Sequence, residues 1–127
     1  MPRTPDAPKP TPAELDLLHV LWPLGPATAK QVPEAMLPQR PDVSYATVLR
    51  LMQVMHGKGL LSRDESERSH VYAPVHARDA LQTSLLKDLM QRAFSGSASS
   101  LVLAALKSGI SKKERAEIEQ LLREDKP

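Results

Sequence analysis

Four residues between positions 46 and 53 have the types and the spacing needed to read a nucleic acid. In the stretch SYATVLRLMQVMHGKGL (residues 44–60), successive residues set 100° apart on a helical wheel bring Ala46, Thr47, Arg50 and Gln53 to one side. A small residue such as Ala46 lets a helix backbone approach a DNA groove, and its methyl can pack on a thymine methyl. The Thr47 hydroxyl suits a phosphate or a base edge. Arg50 can give two hydrogen bonds to guanine O6 and N7, and Gln53 can pair with adenine or a phosphate. Ser44 and Tyr45, at the start of the same helix, join this set. Lys30, Lys58, Arg63 and Arg68 are further candidate DNA contacts; Arg68 would reach a minor groove or a phosphate from a hairpin tip. The plain alternative is that each of these is an ordinary solvated side chain.

Other chemistries find little support. The chain has no cysteine, which removes disulfides and thiolate metal sites, and its four histidines (His19, His56, His70, His76) lack ligand spacing. No metal or cofactor is expected. Ser44 and Ser69 lie near His56 and His70 in sequence, but caps and turns account for both serines, and no nucleophile–base pairing, phosphate loop or carboxylate constellation points to an enzyme. No apolar run approaches the roughly 20 residues of a membrane span. MPRTPDAPKP has no apolar signal core, so a cytoplasmic protein without direct membrane binding is expected.

These residues need a scaffold. The chain has 127 residues, 41% of them apolar but only 3% aromatic, so a modest core of Leu, Val, Ala and Met is expected. The four prolines of residues 1–10 read as a disordered tail. TPAELDLLHVLW then carries a T-x-x-E capping box, Thr11 to Glu14, with Pro12 at the first helical position and leucines at helical spacing. PLGP (23–26) predicts the helix end, since proline cannot continue a helix. TAKQVPEAML predicts a second helix, capped at Thr28 with Gln31 three residues on, and Val32, Ala35 and Met36 inward. Pro33 makes it short, bent, or later in starting. PQRPD (38–42) is a loop. Ser44 caps the third helix, whose Tyr45, Val48, Leu49, Leu51, Met52 and Met55 form the apolar side, and Gly57 and Gly59 mark its end. Leu60-Leu61 and Val71-Tyr72 flank the charged loop DESERS and predict two short strands.

Three capped helices and a hairpin within residues 11–75 is the order of a winged helix-turn-helix, in which the third helix enters the major groove. The fold class is therefore mainly α: an N-terminal winged helix with a small two-stranded hairpin, then a C-terminal helical region over 76–127. That region places Leu81, Leu85, Leu89 and Ala93 on one stripe, widened by Leu86, Met90 and Phe94. SGSASS breaks it, LVLAALK makes a short helix, and Ser111 caps a last one. A unit of roughly 50 residues seldom buries enough surface to stand alone. Leu81, Leu85, Leu89, Phe94, Leu101, Leu103, Leu106, Leu121 and Leu122 must either fold back on the winged helix as an internal core or meet a second copy; the second copy, making a homodimer, is the expectation, since the long stripe would otherwise stay exposed. The charge is less telling: the chain carries +2, and residues 1–75 hold eight basic and eight acidic side chains. A winged-helix module that binds protein instead of DNA is the alternative. Its motive is that neutrality, together with Asp64, Glu65 and Glu67 around Arg68.

The chain resembles the penicillinase-repressor (BlaI/MecI) family of bacterial winged-helix regulators. The likeness lies in AELDLLHVLWPLGPATAKQV, SYATVLRLMQVMHGKGL, SHVYAPV, SLVLAAL and ISKKERAEIEQL, and so covers nearly all of the chain past its tail. It implies a homodimeric repressor on a dyad-symmetric operator in double-stranded DNA, relieved by proteolysis through a membrane sensor protease. Members often carry paired threonines at the positions of Ala46 and Thr47; some have a threonine at that of Arg50 and an arginine at that of Val54. Members inactivated by cleavage are cut at an Asn-Phe bond after an SLVL-like run, where this chain has Ala104-Ala105. Copper-sensing relatives use C-terminal cysteines, which are absent here.

Overall fold

The computed structural model describes residues 9–36 and 40–125. The proline-rich tail falls outside these residues except for Lys9 and Pro10, as do Pro38 and Gln39 of the loop. The elements run α1 (Pro12–Leu24), α2 (Gln31–Met36), α3 (Tyr45–Gly57), β1 (Leu61–Asp64), β2 (Val71–Pro74), α4 (Arg78–Ala93), α5 (Ala98–Lys107) and α6 (Lys112–Glu124). The fold is a mainly helical winged helix-turn-helix with its hairpin and a helical C-terminal region. It divides into two compact units, meeting between Leu85 and Leu86.

In the first unit α1 and α3 begin where their caps direct. The Glu14 amide donates to the Thr11 hydroxyl at 3.2 Å, and the Thr11 amide donates to the Glu14 carboxylate at 2.8 Å. α1 runs through Pro23 and ends at Gly25, whose φ of +85° suits glycine. A proline in a last turn forgoes one backbone hydrogen bond without stopping the chain there, so the helix ends within PLGP, as expected, but just past Pro23. α2 begins at Gln31, three residues after Thr28: the Gln31 carboxamide oxygen accepts from the Thr28 amide at 2.8 Å and closes a turn before the helix. Pro33 thereby falls in the first helical turn, where its missing N–H is no loss. Ser44 caps α3, accepting from the Thr47 amide at 3.2 Å.

The core lies among α1, α2, α3, the hairpin and the start of α4. Leu17, Leu18 and Leu21 meet Val32, Met36, Val48, Met52, Met55, Leu60, Leu61 and Tyr72, with Leu49 and Leu51 partly buried against them. Ala35 is exposed, not inward, because a six-residue helix presents only its Val32–Met36 edge to the core. Tyr45 also departs from the expected apolar side and is 46% exposed, at the rim where α3 begins.

β1 and β2 pair antiparallel with Leu61 opposite Pro74 and Asp64 opposite Val71. A third segment joins them: Ala27 and Tyr72 exchange backbone hydrogen bonds of 2.9 and 2.8 Å, tying the wing to the loop after α1. The Trp22 indole N–H donates to the His76 carbonyl at 3.0 Å, fixing the exit from the wing to the end of α1. Leu81 then drops into the core and Leu85 packs against it. The first turns of α4 therefore belong to the winged-helix unit, so the compact division falls about ten residues later than the boundary expected at residue 76.

The second unit has a different character. Ser97 and Ser111 cap α5 and α6 by accepting from the Ser100 and Glu114 amides. No residue of either helix is buried.

Candidate nucleic-acid interface

α3 is the element on which the site is built. Val48, Met52 and Met55 anchor its inner face, while Ala46, Arg50 and Gln53 stand exposed on the outer one. Arg50 makes no hydrogen bond or ion pair among the described residues, so its guanidinium is free for an outside acceptor. Ser44 is engaged in the cap, and its hydroxyl donates to Thr47 Oγ1 at 3.0 Å. That bond uses a lone pair of Thr47 and leaves its hydroxyl proton available to a phosphate or base acceptor.

The ridge of α3 stands between two clefts of unlike chemistry. One, of about 310 Å³, is polar and lies among the turn before α2, α3 and the wing; Lys30, Tyr45, Gln53, Arg68 and His70 line it, and no carboxylate does. Lys30 and Arg68 form no ion pair among the described residues. The fold thus brings together two free cations 38 positions apart. The other cleft, of about 290 Å³, is mainly apolar, with Ala13, Met36, Val43, Leu51 and Val54 beside Thr47 and Arg50. Arg40 at its edge is held by Asp16 at 2.6 Å.

The remaining two cations are placed otherwise than as free contacts. Lys58 caps α3 and turns inward, its ammonium 2.7 Å from the carboxylate of Glu14, which is 2% exposed. Burial pushes the Glu14 carboxyl up. The Lys58 ammonium and the Thr11 amide and hydroxyl together outweigh it and hold the group below its ordinary value. Nothing in the local sequence marks this pair, whose members are 44 residues apart. Arg63 is half-buried and lies 3.2 Å from Glu65. The Tyr72 phenol, opposite it in register, raises its pKa most; burial opposes this, and Glu65 adds to the rise.

The wing tip is acidic. Asp64 accepts from the Ser66 amide at 2.9 Å, a turn-forming bond that lowers its pKa, and Glu65 holds Arg63. Glu67 has no partner among the described residues. It stands next to Arg68, so its charge opposes any polyanion that Arg68 approaches. Glu67→Gln is expected to tighten binding to mixed-sequence duplex DNA by about two- to fivefold at low salt, and less at high salt as screening grows. A titration followed by fluorescence anisotropy at two salt concentrations checks this; weaker binding in the variant would contradict it.

Among the residues expected at a dimer contact, Leu81 is 1% exposed inside the winged-helix core and Leu85 packs against that core. Neither is offered outward, because the start of α4 closes the first unit. Leu89, Leu103, Leu121 and Leu122 are half or more exposed, and Phe94, Leu101 and Leu106 are partly so. Among the described residues no group of side chains is placed to hold a metal ion, and no helix is long and apolar enough to cross a membrane.

Comparison with known proteins bears on this arrangement. A family model described as Penicillinase repressor matches residues 10–124. Two proteins called Transcriptional regulator BlaI, from Mycobacterium tuberculosis strains CDC 1551 / Oshkosh and ATCC 25618 / H37Rv, are each 40% identical over 68 residues, which is 54% of this chain and 49% of theirs. The chain thus spans about half the length of the curated relatives it matches. The crystal structure of transcriptional regulator Tm0710 from Thermotoga maritima is 20% identical, with a TM-score of 0.47 over 90% of this chain and 72% of that one. With a capped three-helix unit, a wing, and a family match running from the cap of α1 to the end of α6, the chain belongs to the penicillinase repressor family.

Proposed function

We propose that this chain is a dimeric transcriptional repressor that occupies a dyad-symmetric operator and blocks polymerase. α3 enters the major groove and the wing lies along the neighbouring backbone. The observation that carries this reading is the exposed Ala46–Arg50–Gln53 ridge, with an unpaired arginine at its centre and a cleft holding Lys30 and Arg68 beside it. Arg50 supplies base readout; Thr47, Lys30 and Arg68 supply phosphate contacts that fix register. Tyr45 and Gln53 line the same cleft and complete the surface.

The second protomer is required by the C-terminal unit. Leu121 and Leu122 are 63% and 69% exposed, and no residue of α5 or α6 is fully buried within one chain. Covering Leu89, Leu103, Leu121 and Leu122 with the same residues of a second copy removes this surface from water and sets two α3 helices one or more duplex turns, about 10 bp each, apart. Release through a membrane sensor protease is the mode the family likeness suggests. Ala104-Ala105 stands where cleaved members have Asn-Phe, so release by cutting at that bond has no support in this chain.

Selection of duplexes from a random pool, followed by sedimentation of the free chain, tests the reading. A recovered two-fold symmetric sequence and a dimer at micromolar concentration are expected, with specific affinity of about 10⁻⁸–10⁻¹¹ M and steep salt dependence. A monomer that enriches no sequence would refute it. The acidic wing tip favours the second reading, a winged helix that binds protein; retention of a protein partner with no retained duplex would support that instead.

A further inference from the structure

We infer that Glu14 and Lys58 form a clamp that sets the angle of the recognition helix, making Lys58 a positioning residue and not a phosphate contact; this rests on the DNA-binding reading above.

Glu14 is the only buried charged residue among those described. One of its oxygens, Oε1, accepts two hydrogen bonds: from the Thr11 amide at 2.8 Å and from Lys58 Nζ at 2.7 Å. The same carboxylate therefore closes the start of α1 and holds the end of α3. Lys58 is the cap residue of α3, and Gly59 follows with a φ of +83°, turning the chain toward β1. The held point is thus where the recognition helix passes into the wing. Both DNA-facing elements leave from it.

The leverage is large. A 13-residue helix is about 20 Å long, so a slip of about 2 Å at one end tilts it by about 6° and moves its middle by about 1 Å. Arg50 lies in that middle, and a bidentate contact tolerates only about 0.5 Å. Packing of Val48, Met52 and Met55 limits rotation about the helix axis. Methionine contacts are adaptable, however, and define the tilt poorly. A short, charge-assisted hydrogen bond has a direction and a length, which the apolar contacts lack.

The test uses the full chain, the duplex recovered by selection, and a scrambled duplex of equal length. Lys58→Met and Glu14→Gln are each expected to lower the ratio of affinities for the selected over the scrambled duplex at least fivefold, while the slope of log affinity on log salt stays as in the unaltered chain. Glu14→Gln removes a negative charge, so charge alone would make it bind more tightly. Partial unfolding would lower both affinities together and leave their ratio unchanged, so an unchanged ratio in both variants overturns the clamp even if binding weakens. A salt slope reduced by about 0.9 per protomer in Lys58→Met, with Glu14→Gln binding as tightly as the unaltered chain, shows a phosphate contact and also overturns it. If the unaltered chain prefers no duplex, the reading beneath fails, and the clamp with it.

Discussion

Arg50→Ala is expected to weaken binding to the selected duplex by at least about 30-fold while leaving the fold intact. A bidentate arginine–guanine contact contributes about 1–3 kcal/mol of discrimination, and a dimer makes it twice, giving about 2–6 kcal/mol in all. The loss should appear as relaxed sequence preference at one base pair per half-site, because Arg50 is placed on the ridge and not in the cation-lined cleft. Folding should change by no more than about 0.5 kcal/mol, since the side chain is exposed and bonded to nothing within the described residues, and alanine is the better helix former. Equilibrium binding and urea unfolding of the same preparation separate the two effects. An affinity within twofold of the unaltered chain would remove Arg50 from the readout and point to Gln53 or the wing.

The second large effect concerns stability. Leu81→Ala should lower the unfolding free energy by about 2–5 kcal/mol, a substantial part of the 5–15 kcal/mol typical of a small domain. Leu81 is 1% exposed, among Leu17, Leu21, Tyr72 and the other residues of the winged-helix core, and truncation leaves a cavity that rigid helices cannot fill. Leu122→Ala is the contrast. At 69% exposure it supports no core within one chain, so its effect should fall on the dimer–monomer midpoint in sedimentation. If Leu81 served a dimer contact, its truncation would instead act like that of Leu122, and the unfolding free energy of the dilute monomer would not move.

Much of the architecture is legible in the residue order because it rests on local rules. The T-x-x-E box starts α1, and Ser44, Ser97 and Ser111 start α3, α5 and α6, as their short side chains and following amides dictate. The 3.6-residue period separates the inner Val48–Met52–Met55 edge of α3 from its outer Ala46–Arg50–Gln53 edge without knowledge of any neighbour. Two apolar pairs, Leu60-Leu61 and Val71-Tyr72, on either side of the charged DESERS are enough to mark the hairpin. Local rules are coarser at Pro23 and Thr28: they place a helix end within PLGP and make the second helix short or late in starting, while the exact residue is set by one lost hydrogen bond in one case and one closed turn in the other.

What the sequence by itself determined is which faces exist: the caps, the helical stripes, the wing, and an arginine-centred ridge. Which of its charges are free was decided only by the tertiary structure. Lys58 and Lys30 look alike in sequence, yet one is bonded to a buried carboxylate 44 positions away and the other lines an open cleft with Arg68. Leu81 and Leu89 share a stripe, yet one lies inside the core and the other in solvent. The physical reason is common to both cases. Periodicity reports the direction in which a side chain leaves its own helix, whereas burial and ion pairing depend on which distant element meets it there, through contacts the local pattern does not encode.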